Sequence, residues 1–73
     1  MYKYVIIVEK ADKNYSAYCP DLPGCVATGK TVEETADRMK EAIEFHLEGM
    51  KKDGLSIPKP TTLATAVDIA IEG

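Results

Sequence analysis

The sequence is poor in the residues on which most metal sites and nucleophilic catalytic sites depend. Its 73 residues include two cysteines and one histidine, which argues against a zinc site or a Ser-His catalytic arrangement. Cys19 and Cys25 are also too few for the disulfide framework of a small secreted protein. They flank a Pro/Gly turn, so a hairpin could bring them opposite each other. We expect two reduced thiols that pack as small apolar residues in a cytoplasmic protein. A redox pair or half of a metal site is the alternative.

Positive charge and long apolar runs are also scarce. Nine Lys and Arg against twelve Asp and Glu give a net charge of −3, which argues against direct nucleic-acid binding because that requires clustered cations. The longest wholly apolar run, Val5–Val8, is far shorter than the roughly 20 residues of a membrane helix. Since Lys3 and Glu9 interrupt any apolar region near the start, we also expect no signal peptide.

β-Branched and aromatic residues are abundant near the start of the chain. Residues 2–9 predict a first strand with apolar side chains on both faces, as is typical of a central strand. Residues 15–19 and 25–28 predict a second and a third short strand. A polar turn at residues 11–14 and a Pro/Gly segment at residues 20–24 reverse the chain between them.

A single helix gives the clearest local signal. Thr31 and Glu34 fit a capping box, Thr-x-x-Glu, directly before a periodic segment. Apolar residues then recur at a mean spacing of about 3.6 residues, at Val32, Ala36, Met39, Ile43, Leu47 and Met50. These side chains should form one stripe that faces the sheet, and Asp53-Gly54 should end the helix.

The rest of the chain predicts an extended linker at residues 55–62 and a last strand at residues 65–72. A crossover through a helix makes this strand parallel to the first. The predicted fold class is therefore α+β with the order β-β-β-α-β. It is a single sheet of three antiparallel strands plus a C-terminal strand parallel to the first, with one helix packed on one face.

The segment Cys19–Cys25, Cys-Pro-Asp-Leu-Pro-Gly-Cys, carries a resemblance to a known family. It is followed by Gly-x-Thr-x-x-Glu at residues 29–34 and Glu-Ala-Ile at residues 41–43. With the opening Tyr-x-x-x-Ile strand and the Asp-Gly-x-x-Ile-Pro segment at residues 53–58, the sequence resembles the HicB-like antitoxin family. The N-terminal domain of that family is similar to a partly degraded ribonuclease H fold.

The resemblance implies a non-enzymatic protein that binds a small mRNA-cleaving HicA-type toxin over its active site. It implies no catalytic, cofactor or metal residues. Two-domain members carry a C-terminal DNA-binding domain, whereas this sequence reaches Gly73 directly after its last predicted strand. We therefore expect residues 1–73 to form a single HicB-like domain without a C-terminal DNA-binding domain.

Two features are candidate toxin-binding elements. Asp21, Leu22 and Pro23 lie in the loop between the second and third strands, where Leu22 could project from a rigid turn and Asp21 could offer a carboxylate to a basic toxin. Phe45 lies on the helix face opposite the apolar stripe, where an aromatic side chain is a favoured interface anchor. The alternatives are a loop explained by turn geometry alone and a lone surface aromatic.

The last predicted strand is a candidate interface between copies of the chain. Val67, Ile69 and Ile71 form an apolar row in a strand that would lie at the sheet edge beside the first strand. Exposed edges pair readily with identical chains, and small domains gain missing burial by oligomerising. We expect a homodimer or a higher homo-oligomer.

A different class of function is a metal-dependent nuclease with a reduced ribonuclease H-like fold. Such chemistry needs several carboxylates converging on paired metal ions. The interior of the first strand is apolar, with Glu9 only at its end. Three helix acids flank the apolar stripe loosely, Glu33, Asp37 and Glu44, and Asp68 lies in the last strand. We therefore interpret the acidic residues as solvated surface groups, and an orphan protein-interaction scaffold is a third possibility.

Overall fold

Within the residues described, the regular structure consists of three short strands and one long helix. The structure, a computed structural model, describes residues 1–72. The strands are β1 (Ile7–Lys10), β2 (Tyr15–Tyr18) and β3 (Val26–Gly29), and the helix is α1 (Val32–Lys52). The strands form one antiparallel sheet in the order β1-β2-β3, so the predicted antiparallel meander and single helix are confirmed.

The first strand begins later than the sequence indicates. β1 pairs with β2 from Ile7 opposite Tyr18 to Lys10 opposite Tyr15. Beyond Tyr18 the chain enters the loop that contains Pro20, so residues 1–6 extend past the end of β2 and have no neighbouring strand. Their side chains continue the alternation of β1, because Tyr4 and Ile6 pack against the core on the same face as Val8.

The loop between β2 and β3 consists of successive tight turns. The amide of Leu22 donates to the Cys19 carbonyl at 3.1 Å, and the amide of Cys25 donates to the Leu22 carbonyl at 3.2 Å. Gly24 has a φ of 85°, a conformation that favours glycine. These turns bury Leu22 to 1% exposure. The expectation that Leu22 projects from the loop is therefore wrong, because the turns place its side chain in the core.

The helix begins where the sequence predicts. The Thr31 hydroxyl accepts a hydrogen bond from the Glu34 amide at 3.0 Å, as in an N-cap. Met39 is fully buried, and Ile43 and Leu47 pack beside it against the core, which confirms the centre of the predicted stripe. Val32, half of which is exposed in the first turn, and the half-buried Ala36 and Met50 lie outside this packed centre.

The core lies between the helix and the sheet and closes against the β2–β3 loop. Its buried apolar members are Ala17, Cys19, Leu22, Cys25 and Met39. Thr35 is the buried polar residue among them, and its hydroxyl donates to the Thr31 carbonyl at 2.7 Å. Cys19 and Cys25 are free thiols, and both serve as the small apolar core residues that the sequence indicates.

The segment after the helix lies across one end of the sheet and then leaves it. The Tyr4 hydroxyl donates to the Pro58 carbonyl, and Thr61 and Thr62 bond to Asp21 in the β2–β3 loop. Residues 63–72, which we term the C-terminal arm, form no strand and are exposed throughout. The predicted parallel strand is thus not formed within one chain, because the arm continues past the sheet and pairs with no strand of it.

Candidate functional site

A shallow groove lies between one flank of α1 and the β2–β3 loop. We term it the helix–loop groove; it encloses about 460 Å³, and its lining includes Gly24, Cys25, Val26, Ala42, Phe45 and His46. Phe45 is 78% exposed and Val26 is 65% exposed, so two large apolar side chains face solvent there. The exposed position of Phe45 opposite the helix stripe is as the sequence predicts.

The structure brings the loop and the helix aromatic to the same surface. Gly24 lines the helix–loop groove together with Phe45, and the exposed Pro23 directly precedes Gly24. Two of the features selected from sequence, the loop and Phe45, therefore meet at one site. Leu22 supports this loop from beneath, because its side chain is buried in the core.

Asp21 is bonded within the chain and does not project toward a partner. Its Oδ2 accepts from the amides of Thr61 and Thr62, each at 3.2 Å. Its Oδ1 accepts from the two threonine hydroxyls at 3.0 and 2.9 Å. Desolvation raises the pKa of Asp21, but the hydrogen bonds from Thr62 and Thr61 outweigh it and hold the pKa below its usual value. The carboxylate therefore fastens the linker, and its contact with a basic partner stays a prediction.

A second, larger groove lies on the other flank of α1. We term it the N-terminal groove; it encloses about 800 Å³ and is lined mainly by Tyr2, Tyr4, Ile6, Lys40, Ile43 and Leu47. Sequence reasoning missed this groove, although the alternation of Tyr2, Tyr4 and Ile6 on one face was visible. The missing information was that residues 1–6 extend beyond β2, which leaves their apolar face only partly covered.

Tyr4 connects the N-terminal groove to the linker. Its ring meets that of Tyr2 edge-on, with the ring centroids 6.2 Å apart. Desolvation by burial, followed by the nearby Tyr2, raises the pKa of Tyr4. The phenol is protonated at neutral pH, and its hydroxyl donates a hydrogen bond to the Pro58 carbonyl.

The structure does not assemble a cluster of titratable side chains among residues 1–72. No three His, Cys, Asp or Glu side chains in this part of the chain are placed to hold a metal ion, and Glu9 and Asp68 are both exposed. Burial, with a contribution from Cys19, raises the pKa of the Cys25 thiol and so disfavours the reactive thiolate. No helix in residues 1–72 is long and apolar enough to cross a membrane.

The fold and its two apolar grooves define a small α+β domain with surfaces suited to macromolecular contacts. Residues 4–70 match the family described as HicB-like antitoxin of bacterial toxin–antitoxin systems. The chain belongs to this family. A solved structure of a HicA3 and HicB3 toxin–antitoxin complex is similar, with a TM-score of 0.68 and 29% identity over 81% of this chain and 69% of the other.

Relatives occur in phage and in bacteria. A 14.9 kDa protein from the rep-hol intergenic region of Haemophilus phage HP1 is 45% identical over 77% of this chain. The matched region spans 42% of the length of that phage protein. A UPF0150 protein of Synechocystis sp. is 33% identical over 97% of this chain and 91% of its own length.

Proposed function

We propose that this chain is an antitoxin that binds a HicA-type toxin in the cytoplasm and covers its active site, without catalysis of its own and without contacting nucleic acid itself. The observation that carries the proposal is the similarity of its fold to a chain of the HicA3–HicB3 complex, together with membership of the antitoxin family. Such an antitoxin acts by steric and electrostatic masking, which requires no metal, cofactor or reactive side chain.

The helix–loop groove is the proposed toxin-binding surface. Phe45 is 78% exposed and Val26 is 65% exposed, and both line the groove with Gly24, which the exposed Pro23 directly precedes. Exposed aromatic side chains that border a concavity are typical anchors of protein interfaces. The loop offers this surface in one conformation, because its tight turns and the burial of Leu22 hold it against the core.

The charge of this surface suits a partner that binds RNA. Glu41 and Glu48 are exposed on α1, four residues before and three residues after Phe45, so they share its helix face. A toxin that binds the polyanion mRNA presents cations at its active site. Acidic side chains around an apolar anchor are complementary to such a site, and the net charge of −3 supports fast association.

The test uses the full chain and any HicA-type toxin that an adjacent reading frame encodes. We expect the wild-type chain to bind the toxin and to stop mRNA cleavage in stoichiometric amounts. Phe45→Ala should weaken binding by roughly 30-fold, the usual loss at an aromatic anchor. Tyr2→Ala is the matched control, because Tyr2 is also an exposed aromatic, at 48%, but lines the groove on the other flank of α1.

The possible outcomes separate the function from the surface. If the wild-type chain neither binds the toxin nor inhibits cleavage, the antitoxin proposal is wrong. If it inhibits and Phe45→Ala inhibits equally well at equal affinity, the function stands and the helix–loop groove is not the binding surface.

A further inference from the structure

The C-terminal arm is an apolar segment with no cover in the single chain. Leu63, Val67, Ile69 and Ile71 are exposed by 93%, 75%, 72% and 90%. The last three alternate with the small or acidic residues Ala66, Asp68 and Ala70, which is the pattern of a strand with one buried face. In the single chain, this apolar row has no surface to pack against.

The chain as a whole exposes more surface than a folded protein of its mass. Its accessible surface is 6142 Å², whereas about 4,450 Å² is usual for a compact monomer of this size. The radius of gyration is 14.7 Å against about 11 Å for a compact chain of the same length. The excess of roughly 1,700 Å² in one chain is about twice the 800 Å² or so that each partner buries in a standard protein–protein interface.

The N-terminal edge of the sheet lacks a neighbouring strand and has a partly uncovered apolar face. β1 is an outer strand, and residues 1–6 before it have no strand on either side. Their apolar row borders the N-terminal groove, together with Ile43 and Leu47 of α1. An open strand edge beside an apolar groove is the arrangement that accepts an added strand, with backbone hydrogen bonds at the edge and alternate side chains in the groove.

The arm does not fill the groove of its own chain. The groove is lined by residues between Met1 and Leu47, and the arm side chains remain exposed. The four hydrogen bonds from Thr61 and Thr62 to Asp21 fix the point at which the arm leaves the body. The arm therefore continues outward, where a second copy of the chain can receive it.

We propose that two copies of this chain exchange their C-terminal arms. Residues 65–72 of each copy add as a strand to the edge formed by residues 2–8 of the other, with Val67, Ile69 and Ile71 seated over the N-terminal groove. The exchange is reciprocal, so the interface closes as a two-fold dimer. Lys3 and Asp68 lie on the outward rows of the two segments, where opposite charges on adjacent strands are favourable.

The first test is the mass of the full chain in solution, measured by sedimentation velocity at tens of micromolar. We expect about 16 kDa, twice the chain mass of 8.0 kDa. Ile69→Asp should weaken the dimer by roughly 100-fold, because it replaces an apolar side chain that the exchange buries with a charged one. Ala70→Asp adds the same charge one position along, on the outward row, and should leave the dimer within a few-fold of wild type.

A mixing experiment identifies what the arm contacts. Tyr2→Asp places the charge in the groove and should also give monomers, with the helix retained in circular dichroism. Equal amounts of the Ile69→Asp and Tyr2→Asp chains should form a heterodimer, because the intact arm of the second fits the intact groove of the first. A monomeric wild type, a dimer insensitive to Ile69→Asp, or a Tyr2→Asp chain that stays dimeric would each overturn the exchange. The last result would indicate that the arms pair with each other.

Discussion

Gly29 stands at the closest approach of the sheet to the helix. A Cβ atom at this position would lie 2.6 Å from the Thr35 hydroxyl oxygen and 2.8 Å from the Thr35 backbone nitrogen. The hydroxyl cannot move freely, since Thr35 is fully buried and donates to the Thr31 carbonyl. A side chain at position 29 would therefore push β3 away from the first turn of α1.

Gly29→Ala should destabilise the protein by about 1–3 kcal/mol, the usual cost of overpacking a rigid contact. Gly49→Ala is the matched control. Gly49 lies in α1 with nothing within 4 Å of its Cβ position, so alanine there should stabilise by up to about 1 kcal/mol. Urea unfolding followed by circular dichroism measures both changes. A Gly29→Ala chain as stable as wild type would show that β3 and α1 can move apart without loss of stability.

The end of the linker, at Thr61 and Thr62, is held by a single charged group. It carries no helix or strand of its own, and Asp21 receives two amide and two hydroxyl hydrogen bonds from Thr61 and Thr62. A carboxylate accepts all four, whereas a protonated carboxyl group accepts fewer and must itself donate. The attachment of the linker is consequently tied to the charge of Asp21.

The linker should detach in acid. The pKa of Asp21 is lowered in the folded chain, because the threonine hydrogen bonds outweigh desolvation. The stabilisation is therefore complete above the unfolded value of about 3.9 and is lost as pH falls through the lower folded value. The amides of Thr61 and Thr62 should be protected from hydrogen exchange at pH 5 to 6. Their exchange should accelerate, relative to that of the core amides, as the pH falls through the folded pKa of Asp21.

Asp21→Asn should remove this protection at every pH, and Asp12→Asn, in the exposed β1–β2 turn, should leave it unchanged. Protection of Thr61 and Thr62 that survives Asp21→Asn would show that other contacts hold the linker.

How far each element could be predicted depends on how local its determinants are. The helix was predictable because its cap, Thr31 with Glu34, and its stripe around Met39 are determined within a few turns. The direction of Leu22 was not, since turn residues define a reversal but not which side chain enters the core. The grooves on the two flanks of α1 could not be predicted either, because each combines the helix with a segment distant in sequence.

The position of the predicted C-terminal strand also depends on a surface that is distant in sequence. The alternation of Val67, Ile69 and Ile71 is the pattern of a half-buried strand, yet residues 63–72 form no strand and these side chains are exposed in the single chain. Periodicity in one sequence identifies a segment that packs on one face. It does not tell whether the surface that receives the segment belongs to the same copy.

At the scale of the whole molecule, α1 separates two surfaces with different proposed uses. Phe45 and His46 lie on the flank of the helix–loop groove, and Lys40, Ile43 and Leu47 lie on the flank of the N-terminal groove. A dimer formed by arm exchange covers only the second flank of each copy. The two helix–loop grooves stay accessible, so such a dimer can hold two toxin molecules at once.

Exchange of the arms also makes thermal stability depend on protein concentration. When a dimer unfolds to separate chains, mass action raises its stability by about 1.4 kcal/mol for each tenfold rise in concentration. With the usual unfolding entropy per residue, two 73-residue chains should gain about 4 °C in Tm for each tenfold rise. Scanning calorimetry from micromolar to millimolar measures this slope. Ile69→Asp should melt below the wild type at every concentration in this range, whereas Ala70→Asp should follow the wild type. A wild-type Tm that stays constant over this range would contradict a dimer that dissociates on unfolding.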